Sequence, residues 1–431
     1  MSKFWLPPEL PHLEHLLNPV EVRRIVNSVL PVTRKFVECH LTHIRYRLNQ
    51  NCTLTWLGRA GESAEWFSIL ACRDRASLPE YRQASDPHSI CRERLGIFHL
   101  SEFEALLHIF PNERKLPGLD WLTRTAALTR DLSSSMPHIF EQGTLTPVQY
   151  VAERSYTVRL ANEAGLTVAY GKFYRRGESA RIWKISNELW RARSEARGSM
   201  ASPVIPSPLA WHAASESVWM GAIVGAPVEW DTGAPIYARI GGALALLHQI
   251  RIDIDSPPEV NLNCRLQTSI QLLSRVRPDL ARRLDRLAER LVVLDSFRPE
   301  VRDGLATLHG DLHLKNIVAL ADGQIGRIGL IDLDNLTLGD PLIDLGSFAA
   351  YLHSHELTAL NPVEWADRRI GLLCEGYQLE SGRHIDLDRL RWTTAAALIN
   401  ERACRMVTRL RPDGPVMIGR LLELAERMLV G

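Results

Sequence analysis

The sequence lacks three features: an excess of charge of one sign, a long apolar run and a pattern of paired cysteines. Its 51 Lys and Arg nearly balance its 50 Asp and Glu. No net basic field therefore attracts nucleic acid or an anionic membrane, and we expect neither as a partner. No uninterrupted apolar run reaches the roughly 18 residues that a membrane span needs. The N-terminal residues also do not join a charged segment to an apolar run, so we predict a soluble, cytoplasmic protein.

The cysteines are odd in number and scattered, and no two of them form a Cys-x-x-Cys pair. This pattern argues against both a disulfide framework and a zinc site, and we expect reduced, mostly structural thiols. The seven are Cys39, Cys52, Cys72, Cys91, Cys264, Cys374 and Cys404. A chain of 431 residues is too long for one compact core, so its length predicts two or three domains.

The first half of the chain is rich in β-prone segments. Residues 12–40 are predicted to be helical, and THIRYRLNQNCTLTW and WFSILACR then predict strands around a polar turn. The same strand-turn-strand pattern returns in VQYVAERSYTVRLANEAG, where an ungapped offset of 104 gives four identities, from Tyr46 with Tyr150 to Gly61 with Gly165. Duplication and coincidence both remain open. Between the copies we place the segment HLSEFEALLHIFPNERKLPGLDWL. The Ser-rich stretch DLSSSMP then predicts a domain boundary near residues 135–145.

The second half is rich in helix-prone segments. ESARIWKISNELWRARSEAR and IYARIGGALALLHQI each predict one helix, and the stripe Leu280, Leu284, Leu287 and Leu291 predicts another. SVWMGAIVGAPV predicts a strand that ends in Gly and Pro. From Pro362 onward the pattern predicts helices only. The layout is therefore a β-rich half followed by an α-rich half.

The most informative stretch is residues 305–348, which contain HGDLHLKN and, further on, IGLIDLDN. The runs IVAL and IGLIDL, joined by the turn ADGQ, predict a hairpin. Asp311, Asn316 and Asp332 would then lie at the ends of one hairpin and converge. Phosphoryl transfer needs a group that accepts the proton of the attacking hydroxyl, together with oxygen ligands for magnesium. An aspartate, a second carboxylate and an amide carbonyl supply these groups.

This stretch resembles the catalytic and metal loops of aminoglycoside phosphotransferases and choline kinase. The resemblance implies an α+β, protein-kinase-like bilobal fold with a β-rich small lobe and a helical large lobe. It implies that Asp311 is the catalytic base, that Asn316 and Asp332 bind Mg2+, and that His309 packs beneath the loop. Asp340 and Asp344 match acidic residues of the family, and an Asp before an apolar run is a good helix cap. His313 and Asp334 stay ambiguous between a site role and a turn role.

The same resemblance implies a nucleotide cleft for ATP. Lys172 in AYGKFYRR is similar to the third-strand lysine that contacts the phosphates, and Glu188 stands at a family-like spacing for its partner, with Glu178 and Glu195 as competitors. ERSYT, which lacks G-x-G-x-x-G, would cover the phosphates through Arg154, Ser155 and backbone amides. Backbone groups near Gly221 and Ile223 would meet the adenine edge.

The domains expected from this resemblance are residues 1–140, 141–228 and 229–431. The first would be a degenerate copy of the small lobe, with Cys72 at the position of Lys172. The hydroxylated small-molecule acceptor stays open between an aminoglycoside, a sugar and an amino alcohol. An inactive pseudokinase is an alternative. An abandoned site would be free to lose its functional residues, yet this sequence has all four: Lys172, Asp311, Asn316 and Asp332. A protein Ser/Thr kinase is another, although the short segment after Asp332 leaves no room for a long activation segment.

Overall fold

The computed structural model describes residues 6–73, 96–133, 137–140, 143–195, 203–252, 262–296, 305–320, 327–359 and 364–430. The chain divides into two compact units. The first unit comprises Met1–Arg181, Leu209–Met220 and Met406–Gly414, and the second comprises Ile182–Pro208, Gly221–Arg405 and Pro415–Gly431. Within the described ranges, no helix is both long enough and apolar enough to cross a bilayer.

The first unit begins with two short helices and a five-stranded sheet. These elements are α1 (Leu13–Leu17), α2 (Pro19–Val29), β1 (Glu38–Arg47), β2 (Asn51–Ala60), β3 (Ser63–Cys72), β4 (Ile97–Leu100) and β5 (Ala105–Ile109). The strand order is β1-β2-β3-β5-β4. The helix predicted over residues 12–40 is therefore wrong in its extent. Pro19 starts a separate helix that Asn18 caps through Val20 N at 3.0 Å, and the chain leaves the helical conformation at Leu30, before Pro31.

A second five-stranded sheet follows in the same unit. Its elements are α3 (Thr125–Ser133), α4 (Pro137–Phe140), β6 (Thr144–Val151), β7 (Ser155–Ala161), β8 (Thr167–Phe173), β9 (Pro208–His212) and β10 (Ser217–Gly221). The order β6-β7-β8-β10-β9 repeats that of the first sheet. A buried cluster that includes Phe140, Phe173 and Trp219 packs on this sheet. The strand-turn-strand pattern predicted from the sequence is confirmed in both sheets.

The two sheets share local detail as well as strand order. Tyr46 pairs with Cys52 as Tyr150 pairs with Tyr156. The Tyr46 hydroxyl donates to Glu9, and the Tyr150 hydroxyl donates to Glu113. Glu104 and Glu216 both adopt the left-handed conformation, with φ of 46° and 49°, just before β5 and β10. The repeat therefore extends from the Glu–Tyr pair to the last two strands of each sheet, well beyond the four identities found in the sequence.

The hydrogen-bond register corrects one residue of the sequence comparison. Thr53 pairs with Leu70 in the first sheet, as Thr157 pairs with Lys172 in the second. Cys72 N donates to Glu104 O at 3.0 Å, as Tyr174 N donates to Glu216 O at 2.9 Å. Leu70 therefore occupies the position of Lys172, and the prediction that Cys72 does so is wrong. The cause is a difference in hairpin length, because Thr53 and Leu70 are 17 positions apart whereas Thr157 and Lys172 are 15 positions apart.

The segment HLSEFEALLHIF also differs from the prediction that placed it between the copies. It forms the end of β4 and the whole of β5, and β5 pairs with β3 through Leu70 opposite Leu106. Every residue of β5 is buried. A short apolar run of this kind does not reveal by periodicity whether it is a strand of a sheet or part of a connection.

The second unit is mainly helical. After α5 (Glu178–Glu195), its helices are α6 (Ile236–Gln249), α7 (Leu262–Val276), α8 (Ala281–Ser296), α9 (Leu342–Thr358), α10 (Trp365–Ser381), α11 (Leu387–Ala397), α12 (Cys404–Thr408) and α13 (Gly414–Val430). A π-helix, Leu398–Ala403, joins α11 to α12. The helices predicted near residues 178–197, 236–250 and 280–291 are confirmed, as is the helical segment after Pro362.

Helices α6 and α10 pack at very short range. A Cβ atom on Gly376 would lie 1.8 Å from the carbonyl oxygen of Ala238, so only glycine allows this approach. Tyr237, Leu244 and Phe348 lie in the buried cluster that surrounds this contact. The helical core thereby supports the short strands that carry the motif residues.

The strands of the second unit are short. They are β11 (Gly225–Pro227), β12 (Ala306–Leu308), β13 (Ile317–Leu320), β14 (Ile328–Leu330) and β15 (Thr337–Gly339). Their sheets have the orders β11-β13-β14 and β12-β15. The hairpin predicted for IVAL and IGLIDL is confirmed as β13 and β14, with Ile317 opposite Leu330. The predicted turn ADGQ lies outside the described residues.

Candidate active site

The backbone of the HGD segment is held by one buried carboxylate. β12 ends at Leu308, and the amides of His309 and Gly310 donate to Asp344 Oδ2 and Oδ1 at 2.6 and 3.0 Å. Gly310 has φ of +77°, and a Cβ there would lie 2.3 Å from Asn335 O. Glycine is therefore required at this position both for its conformation and for the close approach. The prediction that Asp344 braces the loop is confirmed.

Asp344 is in turn held by a buried histidine. His248 Nε2 donates to Asp344 Oδ2 at 3.1 Å, and His248 Nδ1 lies 3.0 Å from the Tyr377 hydroxyl. Burial alone would raise the pKa of Asp344, but the hydrogen bond and charge of His248, together with the His309 amide, outweigh it. The pKa of Asp344 is therefore below the usual aspartate value, and this carboxylate is ionised at neutral pH.

His309 joins the two halves of the motif. Its side chain is fully buried, and its Nε2 donates to Ile331 O at 3.1 Å. Ile331 N donates to Asn316 O at 3.0 Å. These two bonds fix the residue just before Asp332 to the loop that carries Asp311 and Asn316. The structure thus brings the three motif segments together, with His309 as a positioning residue beneath the loop.

Asn316 and Asp332 offer oxygen atoms of the kind that a hard cation prefers. Asn316 is buried, and its Nδ2 donates to Asp311 O at 3.0 Å, which leaves Oδ1 as an oxygen donor. Asp332 is exposed and adopts the left-handed conformation, with φ of 60°. One carboxylate and one amide oxygen fit Mg2+, which takes few protein ligands and completes its shell with phosphates and waters.

Asp311 has a cationic neighbour that sequence reasoning missed. Arg405 Nη2 lies 3.3 Å from Asp311 Oδ1, and both side chains are partly exposed. Arg405 belongs to α12, 94 residues further along the chain. No local pattern in the sequence connects these two residues. The pair places a positive charge beside the Asp311 carboxylate.

The remaining acidic and histidine residues of the motif are Asp340, His313 and Asp334. Asp340 Oδ1 accepts from Leu342 N at 2.9 Å, which confirms the predicted helix cap, and Asp340 Oδ2 lies 3.3 Å from Arg389 Nε. Burial lowers the pKa of His313, whose ring lies 6.1 Å from that of Tyr351. Asp334 lies in the single-turn 3-10 helix Leu333–Asn335.

Lys172 and Glu188 belong to different compact units. Lys172 lies in β8 opposite Thr157, and its Nζ lies 5.7 Å from the centre of the Tyr174 ring. Glu188 lies in α5, where its Oε1 accepts from Arg191 Nη2 at 2.7 Å. The ion pair between Lys172 and Glu188 stays a prediction.

The predicted phosphate loop contains a buried carboxylate that sequence reasoning passed over. Glu153, with a side chain 4% exposed, contacts Arg114 Nη2 at 2.5 Å, Lys115 Nζ at 2.9 Å and Arg47 Nη2 at 3.8 Å. Arg154 beside it is exposed and Ser155 is buried. Burial alone would raise the pKa of Glu153, but Arg114 and Lys115 lower it below the usual value. The turn is therefore fixed by charges from outside its own hairpin.

The two residues predicted near the adenine edge are also engaged. The Gly221 amide donates to Ser207 O at 2.8 Å, so this donor is already used. Ile223 packs on β14, since a Cβ on Gly329 would lie 3.0 Å from its Cγ2. Any adenine contact by Gly221 would have to come from its carbonyl group. That role stays a prediction for both residues.

Comparison with protein families matches residues 150–382 to the phosphotransferase enzyme family APH, which is more than half of the chain. Comparison with curated protein sequences gave no match. Among solved structures, ethanolamine kinase of Plasmodium vivax has a TM-score of 0.49 and 12% identity, covering 73% of this chain and 89% of its own. Choline kinase LicA of Streptococcus pneumoniae has a TM-score of 0.48 and 12% identity, covering 71% and 99%. Aminoglycoside phosphotransferase APH(3'')-Id of Streptomyces rimosus, solved with ADP and streptomycin, has a TM-score of 0.40 and 18% identity, covering 62% and 96%.

Proposed function

Because the chain belongs to the phosphotransferase enzyme family, we propose that it transfers the γ-phosphate of ATP to a hydroxyl group of a small molecule. The family has a protein-kinase-like fold, as the resemblance to aminoglycoside phosphotransferases implied. The observation that carries the proposal is the pair of hydrogen bonds at the Ile331 backbone, one with the His309 side chain and one with Asn316 O. They join the segment of Asp311 and Asn316 to that of Asp332. A base and two oxygen ligands on one fixed scaffold are the parts that phosphoryl transfer requires.

In this proposal Asp311 orients the acceptor hydroxyl and takes its proton as the oxygen attacks phosphorus. Asp344 holds the amides of His309 and Gly310, the two residues before the base, so the base does not have to be ordered during the reaction. Asn316 and Asp332 would hold Mg2+. When bound, Mg2+ offsets the negative charge of the phosphate oxygens. Arg405 places a positive charge beside the Asp311 carboxylate.

The nucleotide would be bound by residues of both predicted lobes, residues 141–228 and 229–431. Lys172 would contact the phosphates, with Glu188 as its partner, and the turn that carries Arg154 and Ser155 would cover them. Backbone groups near Gly221 and Ile223 would meet the adenine. Residues 1–140 are proposed as a degenerate copy of the small lobe without a site of its own.

The test compares the wild type with Asp311→Asn. In an ATP-consumption screen over hydroxylated acceptors with Mg2+, the variant should lose about a thousand-fold or more in kcat, because the base is removed. Nucleotide affinity, measured by calorimetry, should stay close to that of the wild type. Asp285→Asn, an exposed change on α8, is the matched control. Wild-type turnover by Asp311→Asn would contradict the proposed mechanism.

A further inference from the structure

One face of strand β1 is basic. Three residues alternate along this strand and therefore project from the same face of the first sheet: His43, Arg45 and Arg47. His43 pairs across the strands with Thr55, whose Oγ1 accepts from Ala152 N at 3.2 Å. Arg47 Nη2 lies 3.8 Å from Glu153 Oε2. The basic face therefore lies against the turn between β6 and β7, and both belong to the first unit.

A cation from a distant part of the sequence joins this face. Arg409, which also belongs to the first unit, donates from Nη1 to Ile44 O at 2.8 Å and lies 3.0 Å from His43 Nδ1. Burial and the charge of Arg409 lower the pKa of His43 to about 3. Arg154 and Arg45 act on this pKa in the same direction. His43 is therefore neutral at neutral pH, and its surroundings carry a positive potential.

Arg45 lies among other guanidinium groups. Burial lowers the pKa of Arg45, and the charge of Arg47 lowers it further. Arg154 and Arg175 act in the same direction, whereas Glu153 acts against them. Arginine stays protonated at neutral pH in spite of such shifts, so these positive charges persist. Their mutual repulsion has to be offset by solvent or by an anion.

The carboxylates near these cations are already engaged. Three other contacts, from Arg47, Arg114 and Lys115, share the buried carboxylate of Glu153. Glu178 accepts from Arg175 Nη2. Among the residues that the structure describes, no acidic side chain forms an ion pair with Arg45 or with Arg154. The cluster therefore has more positive charge than the acidic groups in contact with it can offset.

The cluster is open to a ligand. Arg154 is exposed, Arg45 is half-buried, and the side chain of Arg175 is 42% exposed. Planar guanidinium groups donate pairs of hydrogen bonds to phosphate or carboxylate oxygens. A phosphate group carries about two negative charges on three terminal oxygens. It therefore matches several arginines better than a single carboxylate does.

We propose that Arg45, Arg154 and Arg175 form a binding site for a phosphate group of a small molecule, beside the turn between β6 and β7. Arg409 acts as a positioning residue, because its bond to Ile44 O fixes the peptide group just before Arg45. Arg45 precedes residues 150–382, so the first sheet contributes to this site from outside the segment that matches the family. A nucleotide and a phosphorylated metabolite both carry such a group, and competition separates these two sources.

Calorimetric titration of the full chain with sodium pyrophosphate tests the site without any need for turnover. The wild type should bind pyrophosphate, and Arg45→Gln should weaken this binding about ten-fold or more, because a charged hydrogen-bond donor is removed. Arg154→Gln changes an exposed side chain in the turn, with little risk to the fold, and should weaken binding to a similar degree. Arg59→Gln, an exposed change on β2 of the same sheet, is the matched control and should have little effect.

Three results of this titration would overturn the inference. They are no pyrophosphate binding by the wild type, an unchanged affinity in both Arg45→Gln and Arg154→Gln, and equal losses in Arg45→Gln and Arg59→Gln. The last of these would mean that pyrophosphate responds to the net charge of the sheet and not to a built site.

A second titration identifies the source of the phosphate group. With the cleft saturated by a non-hydrolysable ATP analogue and Mg2+, unchanged pyrophosphate binding would assign the site to a separate phosphorylated metabolite. Loss of pyrophosphate binding, together with weaker analogue binding in Arg45→Gln, would assign it to the nucleotide. Loss of pyrophosphate binding with wild-type analogue binding in Arg45→Gln would place pyrophosphate in the cleft and overturn the inference. Failure of the analogue to bind the wild type would count against the proposed function and leave the first titration as the test of the site.

Discussion

The carboxylate of Asp344 lies 3.0 Å from the backbone nitrogen of Gly310 and also accepts the amide of the preceding residue. The most conspicuous glycine of the motif is thus attached to a buried acid 34 positions later. Asp344→Asn should place an amide group where two N–H donors converge and remove the charge that His248 pairs with. We expect a loss of roughly 3–5 kcal/mol in the free energy of unfolding and a lower kcat.

Urea denaturation and acceptor kinetics measure these two effects. The matched control is Asp388→Asn, because Asp388 is almost fully exposed and pairs with Arg391 in the first turns of α11. The control should change the free energy of unfolding by no more than about 0.5 kcal/mol, and it should change kcat by no more than a small factor. A wild-type denaturation midpoint in Asp344→Asn would show that the loop does not depend on this carboxylate.

The lowered pKa of Asp344 also predicts a pH dependence. An acid whose folded-state pKa is depressed adds stability above its unfolded-state pKa, and this stability is lost as the pH falls through the folded-state value. The free energy of unfolding of the wild type should therefore fall more steeply below about pH 4 than that of Asp344→Asn. Parallel pH profiles for the two proteins would argue that His248 does not stabilise the ionised carboxylate.

The proposed magnesium site can be tested by measuring nucleotide binding, rather than turnover, in a variant of Asp332. Asp332→Ala removes the exposed carboxylate at the end of β14. We expect calorimetry to show that Mg2+ no longer strengthens the binding of a non-hydrolysable ATP analogue, because one of two protein oxygen ligands is lost. Binding without Mg2+ should be unchanged. Equal strengthening by Mg2+ in wild type and variant would exclude Asp332 as a ligand.

Much of this site could be predicted from local patterns in the sequence. Asp311, Asn316 and Asp332 could be predicted together because a single hairpin connects them, and strand signals and motif spacing are both local. Asp344 and Asp340 were predicted as bracing and capping residues for the same reason. The partners of these residues could not be predicted, since His248 and Arg405 reach the motif only through the packing of helices far along the chain.

The repeated sheet shows a different limit of prediction from the sequence, which concerns the register of the strands. An ungapped comparison fixed the first hairpin, where Tyr46 and Tyr150 correspond, but the expected match of Cys72 to Lys172 was two residues away from the position that Leu70 holds. The paired residues Thr53 and Leu70 are 17 positions apart, whereas Thr157 and Lys172 are 15 apart. A shift of two residues keeps each side chain on the same face of the strand, so the apolar pattern does not reveal it. Glu153 was overlooked because its partners Arg114 and Lys115 precede it by almost forty residues.

The charge cluster at Glu153 gives a prediction about the proposed phosphate loop. The turn is fastened by Arg47, Arg114 and Lys115, and Ala152 N also donates to Thr55 Oγ1 of β2 at 3.2 Å. Glu153→Gln should remove the carboxylate that these three cations share and loosen the turn. Because the cations are about a quarter exposed, we expect a cost toward the lower end of roughly 3–5 kcal/mol. KM for ATP should rise more than kcat falls.

Glu163→Gln is the control for that experiment, since Glu163 is an exposed residue in the loop between β7 and β8. Initial-rate kinetics at varied ATP concentration measure the effect. If Glu153→Gln lowers stability but leaves KM for ATP unchanged, the cluster supports the fold only and does not position the nucleotide loop.

The last prediction is that the chain binds one nucleotide, although it contains two sheets of the same order. In the first sheet the position of Lys172 is taken by Leu70, which packs with Cys72, Leu106 and Ile97 in an apolar cluster. An apolar surface offers nothing to offset the charge of a triphosphate. A phosphate placed there would lose its hydration without gaining a cation.

Calorimetric titration with a non-hydrolysable ATP analogue and Mg2+ should therefore show one site per chain. Lys172→Met keeps the length of the side chain and removes its charge, so it should weaken that binding about ten-fold or more. Leu70→Met, a volume-conserving change at the equivalent position of the first sheet, should leave the affinity nearly unchanged. A stoichiometry of two, or weaker binding in Leu70→Met with the fold intact, would mean that the first sheet takes part in nucleotide binding.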